Sequence, residues 1–126
     1  LGNRTAKTRF AQSRANEEKQ KLALRQLEEK ALVEVEDAAA AVRTGYEKVQ
    51  ATRDARDYAR QALDAEQRKL ESGKSTSFVV LQLQRDLTSA RDDAVQALMD
   101  YNRQLAALAL AEGAMLERHD VAFAEE

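Results

Sequence analysis

Apolar and small residues recur every seven positions through the first half of the chain. One row is mostly small, and the row beside it is larger and apolar, with Arg56 as an exception. The first row is Leu24, Ala31, Ala38, Gly45, Thr52 and Ala59, and the second is Val35, Val42, Val49, Leu63 and Leu70. Together they form a stripe of 3.5-residue period, which is typical of coiled-coil helices. The pattern predicts one helix from about residue 5 to about residue 72, packed closely against a partner.

A further set of small and aromatic residues lies off this stripe, and we interpret it as a second packing row. Its members are Leu32, Ala39, Tyr46, Ala55, Tyr58, Ala62 and Ala65. Because a two-stranded coiled coil needs only one stripe, a second row favours a helix with neighbours on two sides, such as a stave of a ring. A bundle helix with one broad apolar face explains the same residues. Periodicity alone does not separate these two interpretations.

The repeat is interrupted once, by the segment "SGKSTS" at residues 72–77. Gly73 is well placed as the left-handed residue that ends a helix, and Ser75 or Ser77 can cap the next one. The repeat then resumes after an apolar turn. Its rows are Val80, Leu87, Ala94, Tyr101, Leu108 and Met115, with Leu83, Ala90 and Ala97 beside them and Leu98 and Leu105 on a second side. The pattern predicts a second helix from about residue 77 to about residue 113, then a loose tail over 114–126.

The short connection at residues 73–76 makes the two helices antiparallel neighbours. We therefore expect an all-α coiled-coil hairpin with unequal arms, the longer of about 100 Å and the shorter of about 60 Å at 1.5 Å per residue. Asn3 or Thr5 is the predicted cap of the first helix. The sequence leaves open whether Gly45 kinks that helix.

Composition agrees with long helices and excludes several classes of function. The 126 residues include no Pro, Cys or Trp, and 33% of them are charged. The 20 basic and 22 acidic residues are mixed, so the sequence shows no basic stripe of the kind that nucleic-acid binders carry. Without Cys there are no disulfides or thiolate metal sites. Because the chain starts at Leu1 rather than Met, we interpret it as a piece of a longer protein.

No set of residues suggests catalysis, a cofactor or a metal ion. His119 is the only His and lies in the predicted tail, without triad partners. Asp92 and Asp93 are adjacent, as are Glu17 and Glu18, so on a helix the members of each pair point about 100° apart. A working acid and base need a shared cleft, which a two-helix hairpin does not offer. We expect that the chain is not an enzyme.

The tip segment has a plain interpretation and a functional one. Its Gly73-Lys74-Ser75 sequence resembles the end of a phosphate-binding loop, but Arg68 occupies the position that requires an earlier Gly, and no strand precedes it. Hairpins must turn somewhere, and Gly and Ser are common turn residues. The same segment is also the end of the hairpin that a partner could reach.

Three segments resemble the second half of TolC-like outer-membrane efflux proteins. The opening "LGNR" followed by Ala6 is similar to the family's entry from a barrel strand into a long helix. The segment "AEQRKLESGKSTSFVVLQLQRDLTSA" resembles its helical tip, and "ALMDYNRQLAALALAEGAML" resembles the end of its returning helix. Their order and spacing extend the resemblance over nearly the whole chain.

The resemblance implies a homotrimer in the full-length protein, with a β-barrel in the outer membrane and a helical barrel through the periplasm of a Gram-negative bacterium. Each chain of such a protein supplies two helical hairpins, and this one resembles the second. The implied function is an exit duct for drug or small-molecule efflux or for type I secretion. The implied partners are a periplasmic adaptor protein and an inner-membrane pump, with no nucleic acid and no cofactor.

The resemblance also assigns roles to the tip. The implied adaptor-docking residues are Ser72, Gly73, Lys74, Ser75 and Thr76. The positions that match the family's polar gate are Leu70, Ser75 and Gln82, where the family's best-known member has a Tyr, an Arg and an Asp. The polar gate is therefore not retained, and closure would need other contacts.

Two other classes remain as alternatives. One is the α-hairpin of a periplasmic adaptor, which would have nearly equal arms and flanking strands. The other is a plain structural coiled coil, which would need neither the glycine tip nor a second packing row. Under the efflux-protein resemblance, the piece lacks the first hairpin, so the packing rows of both helices would be partly unpaired in isolation, and we expect the isolated piece to self-associate.

Overall fold

Two long helices joined by a short connection form the fold. The computed structural model describes the backbone of residues 2–123, and the side chains within 4–114 and of Glu117. Helix α1 is Gly2–Glu71 and helix α2 is Ser77–Phe123, with 70 and 47 residues. The two helices pack as a hairpin, and the described residues contain no strand. This confirms the predicted all-α hairpin with unequal arms.

The outer ends of both helices differ from the prediction. Helix α1 already includes Asn3 and Thr5, so neither residue caps it. Helix α2 continues through Gly113 to Phe123, ten residues beyond its expected end, and residues 124–126 of the predicted tail lie outside the described residues. An isolated Gly costs a helix only about 1 kcal/mol relative to Ala. Good helix formers follow Gly113, so the helix continues.

Close contacts divide the chain into two units. The tip unit is Ala38–Leu110, and the terminal unit combines Leu1–Asp37 with Ala111–Glu126. In the terminal unit Ala31 is 7% exposed, whereas Leu24, predicted to begin the buried stripe, is 54% exposed. The prediction for Leu24 is therefore wrong, and burial along the stripe begins one repeat later.

In the tip unit, burial follows the seven-residue frame on both helices. The buried or half-buried positions of this frame are Ala38, Val42, Gly45, Val49, Thr52, Arg56, Ala59, Leu63, Glu66 and Leu70 on α1, and Val80, Leu83, Leu87, Ala90, Ala94, Ala97, Tyr101, Gln104 and Leu108 on α2. The predicted stripe is thus confirmed between residues 38 and 70. The frame also includes two polar residues that sequence reasoning missed, Glu66 and Gln104.

The best-packed part of the tip unit lies close to the connection. Leu63, Val80 and Leu87 are buried, at 8%, 7% and 6% exposure, and form one cluster. Three partly buried side chains pack against it, those of Ala59, Leu70 and Leu83. This cluster fixes how the two helices enter the tip.

Gly45 allows the helices to approach closely at the other end of the tip unit. Helix α1 runs through Gly45 without interruption, and the residue is buried. A Cβ at this position would overlap the side-chain oxygen of Gln104 and come within 3.4 Å of the Tyr101 ring. Beside this point the rings of Tyr46 and Tyr101 meet at a centroid distance of 6.1 Å and an angle of 56°. Gly45 therefore makes room for α2.

The residues predicted as a second packing row divide between the two sides of the hairpin. The buried stripe consists of two rows, one containing Gly45 and the other containing Leu63. Tyr46 directly follows Gly45, whereas Ala62 directly precedes Leu63. On a helix, positions so related lie on opposite sides of the stripe. Within the tip unit one side therefore holds Ala39 and Tyr46, and the other holds Ala55, Tyr58, Ala62 and Ala65.

Candidate functional site

The connection between the helices is closed by backbone hydrogen bonds around Gly73. Gly73 has a φ of +73°, and its N–H donates to the Leu70 carbonyl at 2.9 Å. The N–H of Lys74 donates to the Lys69 carbonyl at 2.8 Å. These two bonds define a Schellman motif, which satisfies the last carbonyls of a helix and requires a left-handed residue. The predicted role of Gly73 in ending α1 is confirmed.

Thr76, rather than Ser75 or Ser77, caps the second helix. The N–H of Val79 donates to the Thr76 hydroxyl over a long 3.5 Å, and the N–H of Val80 donates to the Thr76 carbonyl at 3.3 Å. Ser77 is already the first residue of α2. The hydroxyl of Ser75 is bonded elsewhere, so the predicted cap was wrong by one residue.

Glu66 ties the connection to α1. The Ser75 hydroxyl donates to one carboxylate oxygen of Glu66 at 2.5 Å, and the Lys69 ammonium donates to the other at 2.8 Å. The Glu66 side chain is only 16% exposed. The hydrogen bond from Lys69, and after it the one from Ser75, lowers the pKa of Glu66 below its usual value. Charge-assisted bonds of this kind favour the ionised carboxylate.

Sequence reasoning did not single out Glu66, although a signal was present. Glu66 follows Ala59 by seven residues, so it continues a row that is otherwise small or apolar. A carboxylate on such a row needs a partner, because burying it unpaired is costly. One partner is the Ser75 hydroxyl, which lies on the connection and therefore cannot be predicted from helix periodicity.

The surface around the connection combines polar groups with exposed apolar side chains. Ser72, Gly73, Lys74 and Thr76 are exposed, and Ser75 is half-buried. The apolar side chains that follow are Phe78 at 73%, Leu81 at 52% and Val79 at 39% exposure. Exposed aromatic and apolar side chains with a polar rim are typical of protein-contact surfaces.

A family model described as Outer membrane efflux protein matches residues 1–114. The chain belongs to this family. The match includes all of α1, the connection and most of α2, and it confirms the resemblance seen in the sequence. No curated protein and no solved structure matches the chain. Membership places the chain among components of outer-membrane efflux channels, a transport family rather than a family of enzymes.

The efflux protein chain places the three gate-equivalent residues in different surroundings. Leu70 packs against the core cluster, and Ser75 bonds to Glu66. Gln82 is exposed. Two of the three side chains, those of Leu70 and Ser75, therefore make contacts within the hairpin. The absence of the family's polar gate stays a prediction.

The other residues weighed as chemical candidates lie apart from the tip segment in sequence. Glu17 bonds to Lys21 at 2.8 Å, while Asp92 and Asp93 are exposed. The side chain of His119 lies outside the described side chains. Within the part of the chain that the structure describes, no three His, Cys, Asp or Glu residues are grouped to hold a metal ion. Neither described helix has a stretch long and apolar enough to cross a membrane.

Proposed function

We propose that this efflux protein chain is a periplasmic helical segment of a trimeric outer-membrane channel. The channel serves as the exit duct for drug or small-molecule efflux or for type I secretion, and it works with an inner-membrane pump. The residues Ser72, Gly73, Lys74, Ser75 and Thr76 dock a periplasmic adaptor protein.

The exposed side chain of Phe78 is the observation that carries the docking proposal. Phe78 is 73% exposed directly after a connection whose backbone shape is set by the Schellman motif. Aromatic side chains in such positions are frequent anchors of protein interfaces. A pre-shaped turn also costs less entropy on binding than a flexible one. The tip thus supplies both an anchor and a defined surface around it.

Apolar side chains on both sides of the hairpin support its use as a stave of a helical barrel. Tyr46, Leu98 and Leu105 are 52%, 41% and 38% exposed, and Tyr58 on the other side of α1 is 75% exposed. These residues lie off the buried stripe, so one hairpin alone leaves them in water. Neighbours on both sides would cover them. The alternatives of an adaptor hairpin or a plain coiled coil gain no support from the family match.

The docking proposal is tested in the full-length channel, in cells, with Phe78→Asp. The matched control is Phe10→Asp, because Phe10 is 67% exposed and lies in the terminal unit. A photocrosslinking residue replaces Lys74, with Lys7 as its control position. We expect Phe78→Asp to abolish both drug resistance and the crosslink from position 74 to the adaptor, at normal outer-membrane levels. Unchanged resistance, or equal loss with Phe10→Asp, would refute the docking role.

A further inference from the structure

A notch between the two helices is lined by three guanidinium groups and one carboxylate. Arg56 and Arg60 of α1 and Arg91 of α2 line it together with Asp57, and its volume is about 310 Å3. The side chain of Leu87, which is 6% exposed, forms its inner wall. Three positive charges therefore face one negative charge around a notch with an apolar wall.

The carboxylate of the notch is already bonded to Arg56. Arg56 donates to one oxygen of Asp57 through two nitrogens, at 2.8 and 3.0 Å. Among the described residues neither Arg60 nor Arg91 forms an ion pair. Two guanidinium groups, one from each helix, thus meet at the notch without a counter-charge.

The sequence around Arg91 offers no acidic partner on its own helix. Ion pairs on a helix join residues three or four positions apart. The residues at these distances from Arg91 are Leu87, Thr88, Ala94 and Val95. No carboxylate of α2 therefore lies at the usual pairing distance from Arg91.

Arg60 has two acidic residues at such distances, and neither neutralises it. Asp57 bonds to Arg56, and Asp64 does not line the notch. Asp64 also follows Arg60 in sequence, and an acidic residue placed after its basic partner is the weaker order on a helix. The positive charge of the notch is thus a consequence of the sequence as well as of the packing.

An oxyanion is the ligand whose chemistry suits this arrangement. Two guanidinium groups held beside an apolar wall repel each other, and an anion between them removes that repulsion. The planar fork of a guanidinium donates two parallel hydrogen bonds to two oxygens of one anion. A doubly charged tetrahedral anion balances both unpaired charges and has enough oxygens to accept bonds from both helices. Chloride or a single carboxylate balances only one.

We infer that the notch binds a doubly charged tetrahedral oxyanion, namely sulfate or phosphate, between Arg60 of α1 and Arg91 of α2. Arg56 adds its charge while its hydrogen bonds stay with Asp57. The bound anion links the two helices and so stabilises the hairpin. This inference goes beyond the proposed function, and it does not depend on what the tip docks, so either can fail without the other.

Thermal unfolding of the 126-residue chain, followed by circular dichroism, tests the site with sulfate as the probe. We expect about 50 mM sulfate to raise the thermal midpoint by at least about 3 °C more than chloride of equal ionic strength. Sulfate also stabilises proteins by exclusion from their surface. The decisive quantity is therefore the part of this shift that disappears in Arg60→Gln with Arg91→Gln.

Arg43→Gln with Arg85→Gln is the matched control, because it removes one exposed Arg from each helix outside the notch. Gln is a good helix former, so both double variants should keep the helical content of the unchanged chain. We expect the control to retain the extra sulfate shift and the notch variant to lose it. An equal shift in all three proteins would overturn the inference.

Two further comparisons test the repulsion and the geometry of binding. In chloride, the notch variant should unfold at the same or a higher temperature than the unchanged chain, because it removes the repulsion. A lower midpoint would mean that the two Arg side chains are already paired within the chain and would contradict the site. Arg60→Lys with Arg91→Lys keeps both charges without the forks and should retain only part of the sulfate shift. Full retention would contradict the bonds from two guanidinium groups.

Chemical modification tests the site without any substitution. Phenylglyoxal reacts with accessible Arg side chains, and peptide mass spectrometry measures the rate at each one. We expect about 50 mM sulfate or phosphate to slow modification of Arg60 and Arg91 by at least about threefold, with Arg43 and Arg85 unchanged. Uniform slowing or none would overturn the inference. Glycerol phosphate, added in a parallel reaction, shows the source of the ligand. Equal protection indicates the free anion, and stronger protection indicates a phosphate group on a larger molecule.

Discussion

The tip turn and the Gly45 contact both depend on a glycine, for different physical reasons. Gly73 has a φ of +73°, and a Cβ built on it would meet nothing within 4 Å. Gly45 has an ordinary helical backbone, but a Cβ there would overlap Gln104. The first glycine serves the local course of the backbone, and the second serves the approach of another helix. Substitutions at the two positions should therefore fail in different ways.

The largest expected effect is that of Gly45→Leu. A Leu side chain here must displace Gln104 and the Tyr101 ring, and overpacking of this kind lowers the free energy of unfolding by about 2 kcal/mol. Urea denaturation monitored by circular dichroism measures the change. Gly113→Leu is the matched control, because a Cβ at Gly113 meets nothing within 4 Å. Equal destabilisation by both variants would show that Gly45 does not serve packing.

Gly73→Ala should lower the free energy of unfolding by less than Gly45→Leu does, because it introduces only backbone strain. Holding Ala in a left-handed conformation costs about 1 kcal/mol, and no steric clash adds to this cost. Gly73→Asn should cost less than Gly73→Ala, since Asn tolerates this conformation better. Urea denaturation of the three proteins checks the order. If Ala and Asn were equivalent to Gly, the φ of +73° would not be needed for stability.

Glu66→Gln should remove part of the stability that depends on pH. Folding lowers the pKa of Glu66, so its ionised carboxylate stabilises the fold at pH values above the pKa of Glu66 in the unfolded chain. This stabilisation is lost as the pH falls through the lowered pKa of the folded state. The thermal midpoint of the unchanged chain should fall over this acidic range, and that of Glu66→Gln should fall less. Ser75→Ala, which removes one of the two hydrogen bonds, should lie between them. A control at the exposed Glu47, substituted by Gln, should not reproduce the difference.

The smallest expected effect is that of Lys48→Ala. The Lys48 side chain is 60% exposed and its nitrogen lies 3.7 Å from Asp100, so the pair should contribute about 0.5 kcal/mol. Raising the salt concentration should reduce the difference between Lys48→Ala and the unchanged chain. Chemical denaturation at low and high salt measures it. A loss above about 1 kcal/mol, insensitive to salt, would mean that the Lys48 stem contributes packing.

The sequence correctly predicted the features that follow from helix periodicity or from local backbone conformation. The seven-residue rows predicted which residues between 38 and 70 are buried. In a coiled coil a helix has 3.5 residues per turn relative to its partner, so positions seven residues apart face that partner. Gly73 was predicted as the end of α1 because few other residues adopt a positive φ. The segments around it also carried the family resemblance, which the family match confirms.

It failed where the outcome depends on a partner distant in sequence or on a balance of small effects. The cap of α2 was misassigned because the bond from Ser75 to Glu66 leaves that hydroxyl unavailable, and this bond joins residues nine positions apart. The end of α2 was placed too early because one Gly is a weak helix breaker among good helix formers.

The sequence by itself determined the two helices, the buried stripe between them and the turn at Gly73, since each follows from backbone geometry and apolar periodicity. Only the tertiary structure decided how the charges are arranged. Along the chain, basic and acidic residues are evenly mixed. Antiparallel packing brings Arg91 of α2 beside Arg60 of α1, and it brings Lys48 of α1 to 3.7 Å from Asp100 of α2. Which charges lie on the same side of the hairpin depends on the register between the two helices, and that register depends on contacts between residues distant in sequence.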